Sequence, residues 1–394
     1  MPAYRYGSWK TRILLTLHGG LNLRSNIKDQ FVNCALKEEA EGTFTILTYI
    51  CEKTELLLNL IFINTMQSND SHHCGQVPQT LVATFLPPIL IIELLLGLPG
   101  NLMALYVFCR HFQCWRPTIL FLFNLVLADF LLLVSLPFRI DNLLRGENWV
   151  FGDAWCRINL FMLAVNRSGS IAFMTAVALD RYFKVVHPHH KVNSMNSHQA
   201  AGVAFFIWTV VSALRLPLLT NNLLSMVENN GTNISICRSF SSYKNPSVGI
   251  KLHYNVYIAE FFLPLLLLLF CSFRISCVLR RRHMDKEKKV RRAIRTVLVI
   301  VGVFIICFFP GIATGLTAMY LTKMGKEYCN GYILNSQLFS LSIGFTYLNS
   351  ALDPVIYLFS SSMFRNTVRK AINRTGLVQL NLSRRGSTTS GSDF

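Results

Sequence analysis

The chain has 394 residues, of which 52% are hydrophobic, 12% aromatic and only 15% charged. A disordered chain needs many charges and few apolar side chains, and a water-facing enzyme of this size could not hide so much apolar surface. The net charge of +18 does not describe a nucleic-acid-binding face either. Residues 271–295 hold ten Lys/Arg against two acids, and residues 360–394 hold six against one, both beside apolar runs. That is the positive-inside pattern of a protein crossing the membrane several times.

In chain order, residues 1–80 form an N-terminal segment expected outside the cell. Its first 65 residues fit poorly. Lys10-Thr-Arg12 precedes an apolar run too short for a signal-peptide core. Residues 45–64 are interrupted by Glu52, Lys53 and Glu55 and make a poor eighth span. Met66 is expected to be the natural start, with residues 1–65 as upstream sequence.

Seven apolar stretches long enough to cross a bilayer follow, at about 81–109, 118–144, 154–186, 199–220, 253–279, 293–321 and 332–359. The predicted fold is an all-α membrane protein, a seven-helix bundle over residues 81–360. Connectors after spans one, three and five carry Arg110 and Arg116, then Lys184 and Lys191, then the Arg280–Arg295 cluster. Those after spans two, four and six carry Asp141, Glu147 and Asp153, then Glu228, then Glu327. The N-terminus is therefore expected outside and the C-terminus inside, in a plasma-membrane protein. Sequons agree: Asn69, Asn230 and Asn233 fall in outside segments, whereas the one at Asn166 lies within span three and should be inaccessible. Residues 361–373 place Phe364, Val368 and Ile372 four apart with Arg365, Arg369 and Lys370 between. This predicts a short amphipathic helix on the inner membrane surface. Residues 374–394 read as a disordered tail, Ser/Thr-rich from Ser383 and open to receptor kinases and arrestin.

Of eleven Cys, several such as Cys271, Cys277 and Cys307 lie in apolar runs and read as buried thiols. Cys74, Cys156, Cys237 and Cys329 lie in segments expected outside, where thiols can pair.

Each span carries a short motif. Span one has Gly100-Asn101, span two Leu127-Ala128-Asp129 and span three Asp180-Arg181-Tyr182 at its inner end. Span four has Trp208, span five Pro264, span six Cys307-Phe308-Phe309-Pro310 and span seven Asp353-Pro354-Val-Ile-Tyr357. Singly each is weak, and an Arg at a membrane edge can be an ordinary snorkelling side chain. In this order on seven spans, they resemble the rhodopsin-like class of G-protein-coupled receptors over residues 80–373.

That resemblance implies several roles. Cys156 should bridge Cys237, and Cys74 should pair with Cys329 as relatives appear to do. Asp129, an intramembrane acid, should share a sodium pocket with Asn166, Ser170, Asn349 and Ser350. Sodium would act as a modulator; no other cofactor is implied. Asp180, Arg181 and Tyr182 should serve G-protein coupling. Ile171, Pro264 and Phe304 should form the packing switch, with Phe308, Asp353, Pro354 and Tyr357. Phe308 replaces the usual Trp and Asp353 the usual Asn, which weakens transfer of the activation mechanism in detail.

Further stretches resemble the hydroxycarboxylic acid and oxoeicosanoid branch. These are Trp149-Val-Phe151-Gly152-Asp153, Phe161-Met-Leu163-Ala-Val-Asn166-Arg167, Val185-Val-His187-Pro188-His189-His190, Glu260-Phe-Phe-Leu-Pro264 and Phe345-Thr-Tyr347-Leu-Asn349-Ser350. That branch answers carboxylates and signals mainly through inhibitory G proteins.

The residues support this independently. Arg167 sits 14 residues outside Arg181, well within the bilayer at about 1.5 Å per residue. A buried Arg is costly unless paired, and its planar fork suits a carboxylate. Arg167 reads as a ligand anchor; the alternative is an internal pair with Glu260 or Glu93. Arg139 is a second candidate, Tyr347 a hydrogen-bond donor or a packing residue, and Ser239 and Phe240 match pocket-lining loop residues of relatives. Gly315 stands where receptors for short hydroxy acids place a further Arg, and the oxoeicosanoid receptor likewise looks to have Gly there. The absent cation should open room and leave a less polar wall, favouring an acid with a long apolar tail. The leading function is thus a receptor for an oxidised fatty acid of eicosanoid type that lowers cAMP. The alternatives are a receptor for lactate-, hydroxybutyrate- or nicotinate-like acids and, from another class, a carboxylate transporter. A transporter would show repeated halves or paired broken helices, which the sequence lacks. Nothing in it resembles a metal-ligand cluster, phosphate loop or catalytic nucleophile.

Overall fold

A computed structural model describes residues 80–110, 116–229, 232–239, 248–281, 288–321 and 328–374. The readings made on residues 1–65, Asn69, Cys74, Asn230, Phe240 and the tail beyond 374 lie outside the described residues. The described residues form seven long helices: α1 (Thr80–Arg110), α2 (Pro117–Leu144), α3 (Gly152–Val186), α4 (Ser197–Arg215), α5 (Val248–Arg281), α6 (Lys288–Leu321) and α7 (Cys329–Ser360). A shorter helix, α8 (Ser362–Arg374), follows at once. α1 stays helical through Pro87, Pro88 and Pro99. α2 opens on Pro117, whose missing N–H costs nothing in a first turn. α4 opens on a capping box in which Asn196 and Gln199 satisfy each other's backbone N–H groups. It ends before Pro217, which starts a separate turn, Pro217–Thr220.

The polarity of the bundle is inverted relative to a water-soluble domain. Leu95 is 66% exposed and Phe205 74%, while Asn101, Asp129 and Asp353 are fully buried. An apolar exterior of this extent needs lipid against it. Six of the long helices are apolar enough to span a membrane by composition alone. α7 falls short because it carries Asn335, Gln337, Ser342, Thr346, Asn349, Ser350 and Asp353, all buried. It packs chiefly against α6 and α1, so those groups meet protein rather than lipid. α1 approaches α7 closely at Gly100, where a Cβ would stand 2.6 Å from Pro354 Cγ.

Between α4 and α5 the chain forms an antiparallel hairpin, β1 (Leu224–Asn229) with β2 (Thr232–Cys237), Leu224 opposite Cys237. The sequence reading did not foresee it. A disulfide joins Cys237 to Cys156 at the start of α3. The hairpin is also held by Trp149 N–H donating to Ser235 O at 2.7 Å and Ser235 N–H to Asn148 Oδ1 at 3.1 Å. Cys329 is disulfide-bonded too. At the opposite end, Phe364 of α8 is 2% exposed and packs edge-on against Tyr357, ring centroids 5.7 Å apart. The helix expected to lie on the membrane therefore docks its leading aromatic into the bundle.

Candidate functional site

Near the hairpin end, α3, α4, α5 and α7 enclose a pocket. Its apolar wall comes from Leu160, Leu163, Ala164 and Ile343. Its polar lining comes from Arg167, Arg215, Ser239, His253, Tyr257, Thr346 and Tyr347. Arg167, Tyr347 and Ser239 thus line one pocket.

Arg167 does not stand alone. Its NH1 pairs with Glu260 Oε1, and its guanidinium lies over the Tyr257 ring at 3.9 Å. Of the two internal acids considered, Glu260 is the partner. Glu93 is buried on α1, and among the described residues neither of its carboxylate oxygens has a hydrogen-bond partner. Glu260 is also shared. Its Oε2 accepts from Arg215 NH2 at 2.5 Å and from Ser168 Oγ at 2.6 Å. Arg215 in turn donates to Ser168 Oγ at 2.9 and 3.0 Å, and to His253 Nδ1 at 2.8 Å. The guanidinium carries no lone pair to accept with, so that histidine nitrogen is the unprotonated one.

Two candidates fall elsewhere. Arg139 lies outside the lining and faces Glu147 at 4.0 Å. Glu147 adopts a left-handed backbone, φ 68°, and also pairs with Arg238. Gly315 is not in the lining. A Cβ there would meet Phe339 Cε2 at 3.3 Å, so the room expected from the missing cation is filled by an α7 ring. Arg215 and His253 were missed from the sequence. The signal for Arg215 was available: an arginine deep in an apolar run is a functional candidate by default.

Below Arg167, aromatic contacts lead into the core. Phe308, in the place of the usual Trp, lies 5.5 Å from the Arg167 guanidinium and packs edge-on against Phe304 at 5.2 Å. Phe304 stacks on Phe261 at 5.4 Å in the same core as Ile171, one turn before Pro264 of α5.

The Asp129 group is also assembled. Ser350 Oγ donates to Asp129 at 2.6 Å and Tyr357 OH at 3.0 Å. Asn166 Nδ2 bonds Ala128 O at 3.0 Å and reaches Ser350 Oγ at 3.4 Å, and Asn349 donates to Asp353 at 3.1 Å. Among the described residues, Ser170 Oγ and Asn349 Oδ1 are buried without hydrogen-bond partners. Hard cations take oxygen ligands of this kind.

At the far end of α3, Asp180 pairs with Lys184 at 2.7 Å and accepts from Thr118 Oγ1 at 2.6 Å. Arg181 instead donates to Ser360 O at the end of α7, 3.2 Å away. Tyr182 OH meets His187 Nε2 at 3.1 Å. Burial, with Arg274 and His190 nearby, lowers the His187 pKa, which favours a neutral ring able to accept that hydroxyl.

Comparison with known proteins agrees with this architecture. The family described as 7 transmembrane receptor (rhodopsin family) matches residues 100–357. Human hydroxycarboxylic acid receptor 2 is 42% identical over 306 residues, 77% of this chain and 82% of the relative. Human oxoeicosanoid receptor 1 is 40% identical over 311 residues, 79% of this chain and 78% of the relative. The mouse 12-(S)-hydroxy-5,8,10,14-eicosatetraenoic acid receptor is 33% identical over 295 residues, 74% of this chain and 90% of the relative. These matches set aside the transporter alternative. The chain belongs to the rhodopsin family of seven-transmembrane receptors, multi-pass plasma-membrane proteins that are not enzymes and that couple a small-molecule ligand to a G protein.

Proposed function

We propose that this receptor is activated by a carboxylic acid, an oxidised long-chain fatty acid in first place, and lowers cAMP through an inhibitory G protein. The observation that carries this reading is a guanidinium, Arg167, 6% exposed in a pocket with an apolar wall. A carboxylate there exchanges with Glu260 for the Arg167 fork, with Tyr347 donating one more hydrogen bond and Ser239 beside it. Phe240 is a further ligand residue on the family resemblance, and Arg139 assists from outside the lining. Displacement of Arg167 is passed to Phe308, Phe304 and Ile171, and so to α5 at Pro264 and to α6. On the other face, Arg181 leaves the Ser360 carbonyl to receive the G protein, while Asp180 stays with Lys184.

The Asp129 group, with Asn166, Ser170, Asn349, Ser350 and Asp353, would hold a sodium ion, whose positive charge would stabilise the ionised form of the buried carboxyls. The hairpin end and N-terminus face outside, with Asn69, Asn230 and Asn233 glycosylated and Cys74 joined to Cys329. α8 rests on the inner leaflet, and the Ser/Thr-rich tail is the substrate of receptor kinases and the docking segment of arrestin. A second reading, a short hydroxycarboxylic acid ligand, is favoured by Phe339 filling the space beside Gly315.

The test is inhibition of cAMP by carboxylates graded from lactate to oxygenated C20 fatty acids, each paired with its methyl ester. Acids should be active and esters weak; equal potency of acid and ester would remove the carboxylate reading. Arg181→Ala should abolish signalling while ligand binding persists, and full signalling by that variant would refute the coupling role.

A further inference from the structure

The Arg167 cluster contains two guanidinium groups. Among the ion pairs of the described residues, one acid, Glu260, meets either of them. Neither arginine is deprotonated in a protein, and His253 accepts from Arg215, so the cluster holds one more positive charge than it neutralises. Arg215 is 1% exposed and Arg167 6%, so water does little to relieve that surplus. The two oxygens of Glu260 are divided: Oε1 serves Arg167, while Oε2 serves Arg215 and Ser168.

We propose that Arg215 is a positioning residue for ligand recognition: it retains Glu260 through Oε2, so that Arg167 can pass to an incoming carboxylate without stranding a buried acid. The inference rests on the carboxylate reading above and adds a residue that touches the acid rather than the ligand. With Arg215 present, three charges plus the ligand's one sum to zero, and every charged group keeps a partner. Without it, Arg167 and Glu260 form a closed neutral pair. A ligand must then break that pair and leave Glu260 with Ser168 alone, and an unpaired buried charge is the costly outcome. The cluster thus takes one monoanionic carboxylate, whatever tail is attached.

The test uses the full receptor in cells, surface level measured by an epitope tag. The probes are lactate, hydroxyoctanoate and an oxygenated C20 fatty acid with their methyl esters, read by cAMP inhibition. Arg215→Gln should lower the potency of the active acid at least tenfold. Arg215→Lys, which keeps a charge on Glu260, should stay within about threefold of wild type. The decisive variant is Arg215→Gln with Glu260→Gln. Removing the acid as well frees Arg167, so potency should return to within about threefold of wild type. A double variant as weak as Arg215→Gln would overturn the proposal and make Arg215 a direct ligand contact or a fold element. Wild-type potency in Arg215→Gln would overturn it as well. Should Arg215→Gln not reach the surface, the double variant is compared with Glu260→Gln alone. A potency difference beyond threefold between those two overturns the idea. Equal potency of acid and ester on wild type is a separate result, which removes the carboxylate reading itself.

Discussion

Asn166 and Arg167 are consecutive on α3, yet they serve buried polar clusters of opposite sign. Consecutive helical residues point about 100° apart. Asn166 therefore turns to α2 and α7, meeting Ala128 O and Ser350 Oγ, whereas Arg167 turns to Glu260 on α5. The Asp129 cluster holds two carboxyl groups, Asp129 and Asp353, that bond to each other and to neutral donors, Ser350, Tyr357 and Asn349. The Arg167 cluster holds two guanidiniums and one carboxylate. Among the described residues no cationic side chain bonds to the first, whereas the second holds one guanidinium more than it has acids. The comparison teaches that one helix can carry a carboxyl-rich cluster and a guanidinium-rich one side by side, provided each faces a different seam of the bundle.

The comparison breaks most sharply at Arg167. Arg167→Ala should nearly silence carboxylate agonists, because truncating one partner of a desolvated pair costs about 2–5 kcal/mol, roughly 30-fold or more in affinity. Arg167→Lys should recover only part, since an ammonium lacks the planar fork. Methyl esters should lose little further potency on Arg167→Ala; an equal loss for acid and ester would mean that the arginine only supports the fold.

The Asp129 side is tested by exchanging sodium for choline at constant ionic strength. Sodium should lower agonist affinity by about tenfold, within the usual 1–3 kcal/mol coupling between two sites. Asp129→Asn should remove that dependence. A wild-type receptor indifferent to sodium would leave the acid cluster as a structural network alone.

Smaller effects separate the pocket wall from its surroundings. Gly315→Arg should favour short hydroxy acids over long-tailed ones by about fivefold, roughly 1 kcal/mol, with Phe339 forced to shift. An unchanged ligand ranking would detach Gly315 from tail length. Arg139→Gln should cost about threefold or less in potency, because Arg139 stands 4.0 Å from Glu147 and outside the lining. A loss matching that of Arg167→Ala would place Arg139 on the ligand.

Much of this was legible before any fold was known. Apolar runs, loop charge and the ordered motifs are local properties of the chain, and together they define seven spans. Even the polar α7 was recognisable through Asp353-Pro354 and Tyr357. Arg167 and Asp129 stood out because an ionisable group inside a membrane span is expensive and therefore informative. Applied with equal care, the same rule would have marked Arg215. Tertiary structure alone decided which groups meet: Glu260 lies 93 residues from Arg167 and 45 from Arg215. It also decided that Phe339 fills the space beside Gly315, that Lys184 rather than Arg181 holds Asp180, and that the segment between α4 and α5 folds as a hairpin. Hydropathy and helical period report which face of a helix seeks lipid. They carry no record of which neighbouring helix supplies the opposing charge, because that depends on how segments far apart in sequence cross within a few ångströms.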